Sequence, residues 1–133
     1  MSDEGAVWRG HEQPAEEMIR RLSSAIELSD ISVFSQDLDL RYAWIINPPL
    51  QRPAREFVGR TDGELYPEPI GSKLTSIKQR VLDEGQGLST EIAMPGEEAP
   101  RWYDLKVDPW RNAEGKVIGV NCVSVDVTDR RRT

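Results

Sequence analysis

Arg101-Trp102-Tyr103-Asp104-Leu105-Lys106-Val107-Asp108-Pro109 leads through a polar turn to Lys116-Val117-Ile118-Gly119-Val120-Asn121-Cys122-Val123-Ser124-Val125-Asp126-Val127-Thr128-Asp129-Arg130, and these two runs decide the fold. Tyr103, Leu105 and Val107 alternate with Trp102, Asp104 and Lys106, the period of two that places one apolar set on one face of a sheet. Between the runs, Arg111-Asn112-Ala113-Glu114-Gly115 can reverse the chain, because Gly115 adopts positive φ at no steric cost and Asn112 tolerates it. The pair reads as a long β-hairpin with a charged exit, Asp126-Val127-Thr128-Asp129-Arg130. Which face of the second strand points inward stays open on pattern alone, since Ile118, Val120 and Cys122 compete with Val117, Val123 and Val125.

Upstream, Leu88 to Met94 reads as a strand joined to the hairpin by the turn Pro95-Gly96-Glu97-Glu98. Pro69 opens a helix in which Ile70, Leu74, Ile77 and Val81 recur at spacings of four, three and four, with Gly85 and Gly87 closing it. Ile31 to Gln36 and Leu40 to Asn47 form an earlier hairpin around Asp37-Leu38-Asp39. In its second strand Leu40, Tyr42, Trp44 and Ile46 alternate with Arg41, Ala43, Ile45 and Asn47. Pro48-Pro49 stops that strand, and short helical or turn pieces follow over 53–58 and 62–66. Residues 14–28 form an amphipathic helix, with Met18, Ile19, Leu22, Ala25 and Ile26 on one side and Glu16, Glu17, Arg20 and Arg21 on the other. Residues 1–13, polar apart from Trp8, read as a flexible arm.

With 133 residues, 38% hydrophobic and 30% charged, the chain suits one soluble domain. No apolar run reaches the length that crosses a bilayer, and the first residues lack the basic and apolar regions of a signal peptide, so the expected location is cytoplasmic with no membrane insertion. A net charge of −6 argues against nucleic acid as a partner, because phosphate binding needs concentrated positive charge. Arg130-Arg131-Arg132 is the basic run, and it reads as the start of an output linker over 130–133.

Catalytic motifs fail on spacing. His11-Glu12-Gln13-Pro14-Ala15 begins like a zinc-peptidase motif but lacks the second histidine, and one cysteine with one histidine supplies no metal-ligand cluster. Cys122 lies inside a strand and His11 in the arm, so nothing in the spacing joins them as a nucleophile and base. The chain itself therefore reads as non-catalytic.

The hairpin and its ending resemble the last two strands of a PAS domain: Asp126-Val127-Thr128-Asp129-Arg130 is similar to the Asp-Ile-Thr-Glu-Arg signature that closes such sheets. Gly59-Arg60-Thr61-Asp62 resembles a step found in the middle of the family, and the order of strands and helices over about residues 29 to 130 matches it. The resemblance implies an α+β fold with a five-stranded antiparallel sheet, helices on one face, and a PAS domain over 29–129. It implies a sensory module of the kind that feeds a bacterial two-component histidine kinase, whose catalytic part would follow Thr133. It also turns Ser124 inward, and Cys122 and Val120 with it. Between the inner sheet face and its helices such domains hold a small-molecule pocket, here expected from Phe34, Trp44, Leu65, Ile70, Leu74, Ile77, Ile92, Tyr103, Leu105, Val107, Val120, Cys122 and Ser124. Each of these also reads as plain core, the commoner role of an inward apolar residue. Signal output is expected at Asp126, Thr128 and Arg130, with the aspartate tying the sheet end and the threonine capping a departing helix. A homodimer would use Met18, Ile19, Leu22, Ala25 and Ile26 with Trp102, Val123 and Val125, which also suits the rival reading, a ligand-free dimerisation module. The ligand is unknown. Gly119-Val120-Asn121-Cys122 imitates a flavin-binding motif but sits in a strand, and no histidine follows His11, so neither a photoactive flavin adduct nor haem is expected. An anion sensor would need pocket cations, for which Lys73, Lys78, Arg80 and Arg101 are unplaced.

Overall fold

The computed structural model describes residues 14–96 and 98–132. The arm expected over 1–13, with Trp8 and His11, lies outside the described residues, as does Thr133. Five strands, β1 (Ile31–Asp37), β2 (Tyr42–Ile46), β3 (Leu88–Met94), β4 (Arg101–Arg111) and β5 (Val117–Asp126), form one sheet in the order β2-β1-β5-β4-β3. Every neighbouring pair is antiparallel. Helix α1 (Pro14–Glu27) precedes the sheet, α2 (Asp62–Leu65) and α3 (Ile70–Glu84) cross it, and α4 (Thr128–Arg132) leaves it. Two single-turn pieces, Pro49–Gln51 and Ala54–Glu56, link β2 to α2.

The long hairpin behaves as its alternation requires. Tyr103, Leu105 and Val107 are buried, and so are Val120, Cys122 and Ser124, while Asn121 and Val123 are exposed. The inward face of β5 is thus the one the family resemblance selected. A shift in register makes Ile118 the extra residue opposite Trp110 and Arg111. Gly119 follows it, where a Cβ would stand 2.1 Å from the Gln36 carbonyl oxygen, so only glycine lets β5 approach β1 there.

The first hairpin departs from the expected alternation. Ser35 pairs with Trp44 but Gln36 pairs with Tyr42, which leaves Ala43 as a bulged residue. The bulge reverses the side-chain phase, so Tyr42 and Ile45 both point into the core and Trp44 turns out, 41% exposed. Trp44 therefore does not belong to the inner face, contrary to expectation. Leu40 also lies outside the strand, with φ of 60°.

On α3 the buried positions are Gly71, Leu74, Lys78 and Val81, while Ile70 and Ile77 are only partly buried against the core. The helix ends where Gly85 adopts φ of 71° and donates its N–H to the Val81 carbonyl, a left-handed cap. Gly71 is the contact that brings α3 onto α2: its added Cβ would lie 3.1 Å from Gly63 Cα and 3.2 Å from the Asp62 carbonyl oxygen.

Helix α1 meets β1 and β2 and is anchored by Asn47, whose side-chain amide donates to the carbonyls of Ile26, Ser29 and Ile31. Its Met18, Ile19, Leu22 and Ala25 remain exposed and Ile26 is half-buried. On the outer sheet face Val123 is 37% exposed, and Trp102 and Val125 are half-buried. No described helix is long and apolar enough to cross a membrane.

Candidate functional site

The inner sheet face and the helices above it enclose a polar cluster that the sequence pattern conceals. Asp62 opens α2 behind a capping box, in which Thr61 Oγ1 accepts the Glu64 N–H and the Glu64 carboxylate accepts the Thr61 N–H. That reciprocal cap fixes the turn and aims the Asp62 carboxylate inward. Lys78, on the buried stripe of α3, places Nζ 2.7 Å from Asp62 Oδ2, and both side chains are 1% exposed. Tyr42 Oη donates to Asp62 Oδ1 at 2.8 Å, and Gln36 Nε2 lies 3.4 Å from Oδ2 while donating to the Leu40 carbonyl at 2.8 Å. Lys78 Nζ also stands 4.9 Å from the Phe34 ring centre and 5.3 Å from that of Tyr42, so two aromatic faces support the ammonium.

An unpaired charge in such surroundings would cost several kcal/mol, and pairing is what permits both ions to be buried. Burial, reinforced by the Asp62 carboxylate, pushes the Tyr42 hydroxyl well above its ordinary pKa, so it remains a donor. Burial likewise pushes the Cys122 thiol up to about 12, against the pull of Lys78, which keeps it from acting as a thiolate.

Beside the cluster lies a cavity of about 20 Å³, bordered by Phe34, Tyr42, Ile45, Pro49, Tyr66, Leu74, Lys78, Ile92, Met94, Leu105 and Ser124. Five residues expected in a pocket, Phe34, Leu74, Ile92, Leu105 and Ser124, therefore share one wall. Leu65, Tyr103, Val107, Val120 and Cys122 are buried around it without bordering the cavity. Lys73 and Arg80 are exposed, and Arg101 is at the exit. Sequence reasoning missed Tyr42, Ile45, Pro49, Tyr66 and Met94 on the cavity wall, Gln36 and Asp62 in the cluster, and the buried role of Lys78. The signal for Lys78 was its place four after Leu74 and three before Val81, overridden by the rarity of buried lysine.

At the other end of β5 a second arrangement ties the sheet to α4. Arg101 donates from Nε and Nη2 to Asp126 Oδ2 at 2.9 and 2.7 Å. Asp126 Oδ1 accepts from the Thr128 N–H and the Thr128 hydroxyl, and Thr128 Oγ1 in turn accepts the Trp102 N–H. Thr128 thus ties the start of α4 to β4, and Asp126 supplies the oxygen that accepts the Thr128 N–H. Arg130 Nη2 donates to Asp104 Oδ2 at 3.0 Å. Burial pulls the Asp126 pKa upward, but the bonds from Thr128 and Arg101 outweigh it and hold the carboxyl below its usual range. Tyr103, Arg101 and Asp126 border the same surface groove as the strap over 48–51. A surface groove of about 920 Å³ runs between that strap, the start of β1 and the β3–β4 turn.

Comparisons agree with this geometry. A family model described as PAS fold matches residues 27–132. Histidine kinase 5 of Arabidopsis thaliana is 26% identical over 125 residues, which cover 88% of this chain and 14% of that protein. Probable histidine kinase 1 of Oryza sativa subsp. indica is 26% identical over 113 residues, covering 82% of this chain and 11% of that one. The chain thus spans a small fraction of either relative. Among solved structures, the Vibrio cholerae VqmA dimer, described for its DNA-binding mechanism, superposes with a TM-score of 0.67 at 21% identity, covering 84% of this chain and 52% of that one. The PAS domain of Bordetella pertussis BvgS gives 0.65 at 14% identity over 92% of this chain and 94% of that one. At these identities the structural matches speak for the fold alone.

Proposed function

Because the chain belongs to the PAS fold family, we propose that it is a signal-input module that couples the inner sheet face to an output domain through the Asp126–Arg130 exit. The output is a histidine kinase of the two-component kind, as in bacterial sensors, in keeping with the kinase relatives. The observation that carries the reading is the clasp of Arg101, Asp126, Thr128 and Trp102, which joins β4, whose Tyr103 and Leu105 face inward, to the first residue of α4. An inner-face change that moves β4 against β5 strains that clasp, and two arrangements of the exit are then separated by a small energy. A cytoplasmic, protein-facing role suits the net charge of −6 better than nucleic acid does.

The test joins a histidine-kinase catalytic core after Arg130 and follows autophosphorylation. Asp126→Ala should uncouple kinase activity from the state of the domain without unfolding it. Unchanged coupling would defeat the proposal.

A second reading, a ligand-free dimerisation module, is favoured by the small interior cavity together with the exposed Met18, Ile19 and Leu22 on α1. Native mass spectrometry separates the two. Extra mass lost on denaturation supports ligand sensing, whereas a dimer without it, abolished by deleting residues 1–28, supports the second.

A further inference from the structure

Met18, Ile19, Leu22, Ala25 and Ile26 make up the apolar stripe of α1, yet four of the five are exposed and only Ile26 is half-buried. Burial therefore gives this helix little grip on β1 and β2, and a helix of 14 residues is marginal in water by itself. What fastens it is polar. The Asn47 side-chain nitrogen stands 2.9, 3.1 and 2.8 Å from the carbonyl oxygens of Ile26, Ser29 and Ile31, so one amide gathers the last turn of α1, the connecting turn and the first residue of β1. Neighbouring bonds tighten the knot. Ser29 donates its N–H and its hydroxyl to the Ile26 carbonyl and accepts the Ile31 N–H at Oγ, while the Ser32 hydroxyl donates to the Asn47 carbonyl. Asn47 reaches these groups from a φ of 60°, a left-handed backbone that asparagine adopts more readily than most residues.

The same turn meets the exit. The Asp30 carbonyl accepts the Asp126 N–H at 2.9 Å, and the Asp126 carboxylate holds Arg101 and Thr128. Three successive carbonyls of one short turn are thus held by two residues, those of Ser29 and Ile31 by Asn47 and that of Asp30 by Asp126. Turn, amide and clasp line one groove, with Ser29, Asp30, Asn47, Arg101 and Asp126 in its wall.

We propose that Asn47 is a latch, which fixes the position of α1 and, through the turn over 29–31, joins that position to the Asp126 exit. Seated, the amide keeps α1 helical against the sheet and holds the Asp30 carbonyl in line with the Asp126 N–H. Released, α1 loses this hold and unwinds, while the sheet stays folded because its core includes no residue of α1. The turn is then free to shift, and the Asp126 N–H loses its acceptor. A pull or a partner acting on α1 therefore reaches α4 along a path that does not cross the inner sheet face. The inference goes beyond the signal-input reading, which begins at that face, and it is tested with no output domain attached.

Two replacements remove the donor in different ways. Asn47→Gly takes the left-handed backbone without strain, and Asn47→Asp keeps the side-chain shape but turns a carboxylate oxygen toward the three carbonyls. In the full 133-residue chain, amide hydrogen exchange over 18–27 should quicken about ten-fold or more in both variants. Trypsin cleavage after Arg20 and Arg21 should quicken with it, since these exposed side chains are cut only when the helix opens. The Asp126 amide should exchange about three-fold faster or more, while the Val107 and Cys122 amides in the middle of the sheet keep their protection. Unchanged exchange over 18–27 in both variants would overturn the latch, and an unchanged Asp126 amide would overturn its link to the exit. Equal losses at Val107 and Cys122 would also overturn it, by making Asn47 an ordinary stabilising residue. If Asp126→Ala leaves a fused kinase coupled while both Asn47 variants loosen α1 and the Asp126 amide, the signal-input reading falls and the latch stands.

Discussion

Lys78–Asp62 and Arg101–Asp126 are both cation–aspartate pairs, set in two different solvents. Each sets a cation 2.7 Å from an aspartate oxygen, but the first pair is 1% exposed on both sides and the second is 40% and 17% exposed. In the interior neither ion can be released without leaving the other unpaired in a medium that solvates it poorly. At the exit, water compensates for most of what a broken contact loses. The same closest distance therefore gives one pair that holds the domain's shape and one that can open at little cost. A module that must keep its fold while changing its output needs both, in those places.

Breaking the interior pair should have the largest effect. Lys78→Ala or Asp62→Ala alone should destabilise the domain by about 3–5 kcal/mol, read as a lowered urea midpoint. The double replacement Lys78→Met with Asp62→Leu should recover much of that loss, since no unpaired ion remains. If each single change costs no more than the double, the interior pair is not behaving as a buried ion pair and the contrast collapses.

Gly71→Ala comes next, because it attacks the same pair through the backbone. The new methyl would press on Gly63 and on the Asp62 carbonyl, pushing α3 off α2 and lengthening the Lys78–Asp62 contact. A loss of about 1–3 kcal/mol is expected, and combining it with the Lys78→Met, Asp62→Leu pair should yield less than the sum.

At the exit, Asp126→Ala should cost only about 1 kcal/mol in stability while removing the clasp that positions α4. The pH dependence carries the sign. A folded-state pKa held below the ordinary carboxylate value means that Asp126 contributes stability above its unfolded pKa, and the contribution fades as pH falls from that value through the lower folded one. Asp126→Asn should therefore flatten the acid limb of the stability profile, and an unchanged limb would show that the clasp contributes nothing to folding. The smallest change is expected for Leu22→Lys on the exposed side of α1: stability within about 0.5 kcal/mol of the parent, with any self-association weakened in analytical ultracentrifugation.

The β4–β5 hairpin and the face of β4 were legible because period-two alternation and a glycine turn are local signals, and Tyr103, Leu105 and Val107 lie where they indicate; the face of β5 came only from the family resemblance. The β1–β2 hairpin was legible as a hairpin but not in phase. The bulge at Ala43 is set by how β2 pairs with β1, and it exchanged Trp44 for Ile45 in the core. Ile77 and Lys78 exchanged roles on α3 for a related reason. Polarity left Lys78 off the apolar stripe and unplaced, and a carboxylate sixteen residues earlier brought it into the core.

The sequence by itself determined the order of strands and helices, the hairpin with its Asp126–Arg130 exit, and through them the PAS family. These follow from spacings along the chain that any local segment obeys. The tertiary structure alone decided which face of β2 is buried, that Lys78 and Asp62 meet, and how much space is left beside them. Those depend on groups distant in sequence, and a buried charge is stable only when the fold delivers its partner.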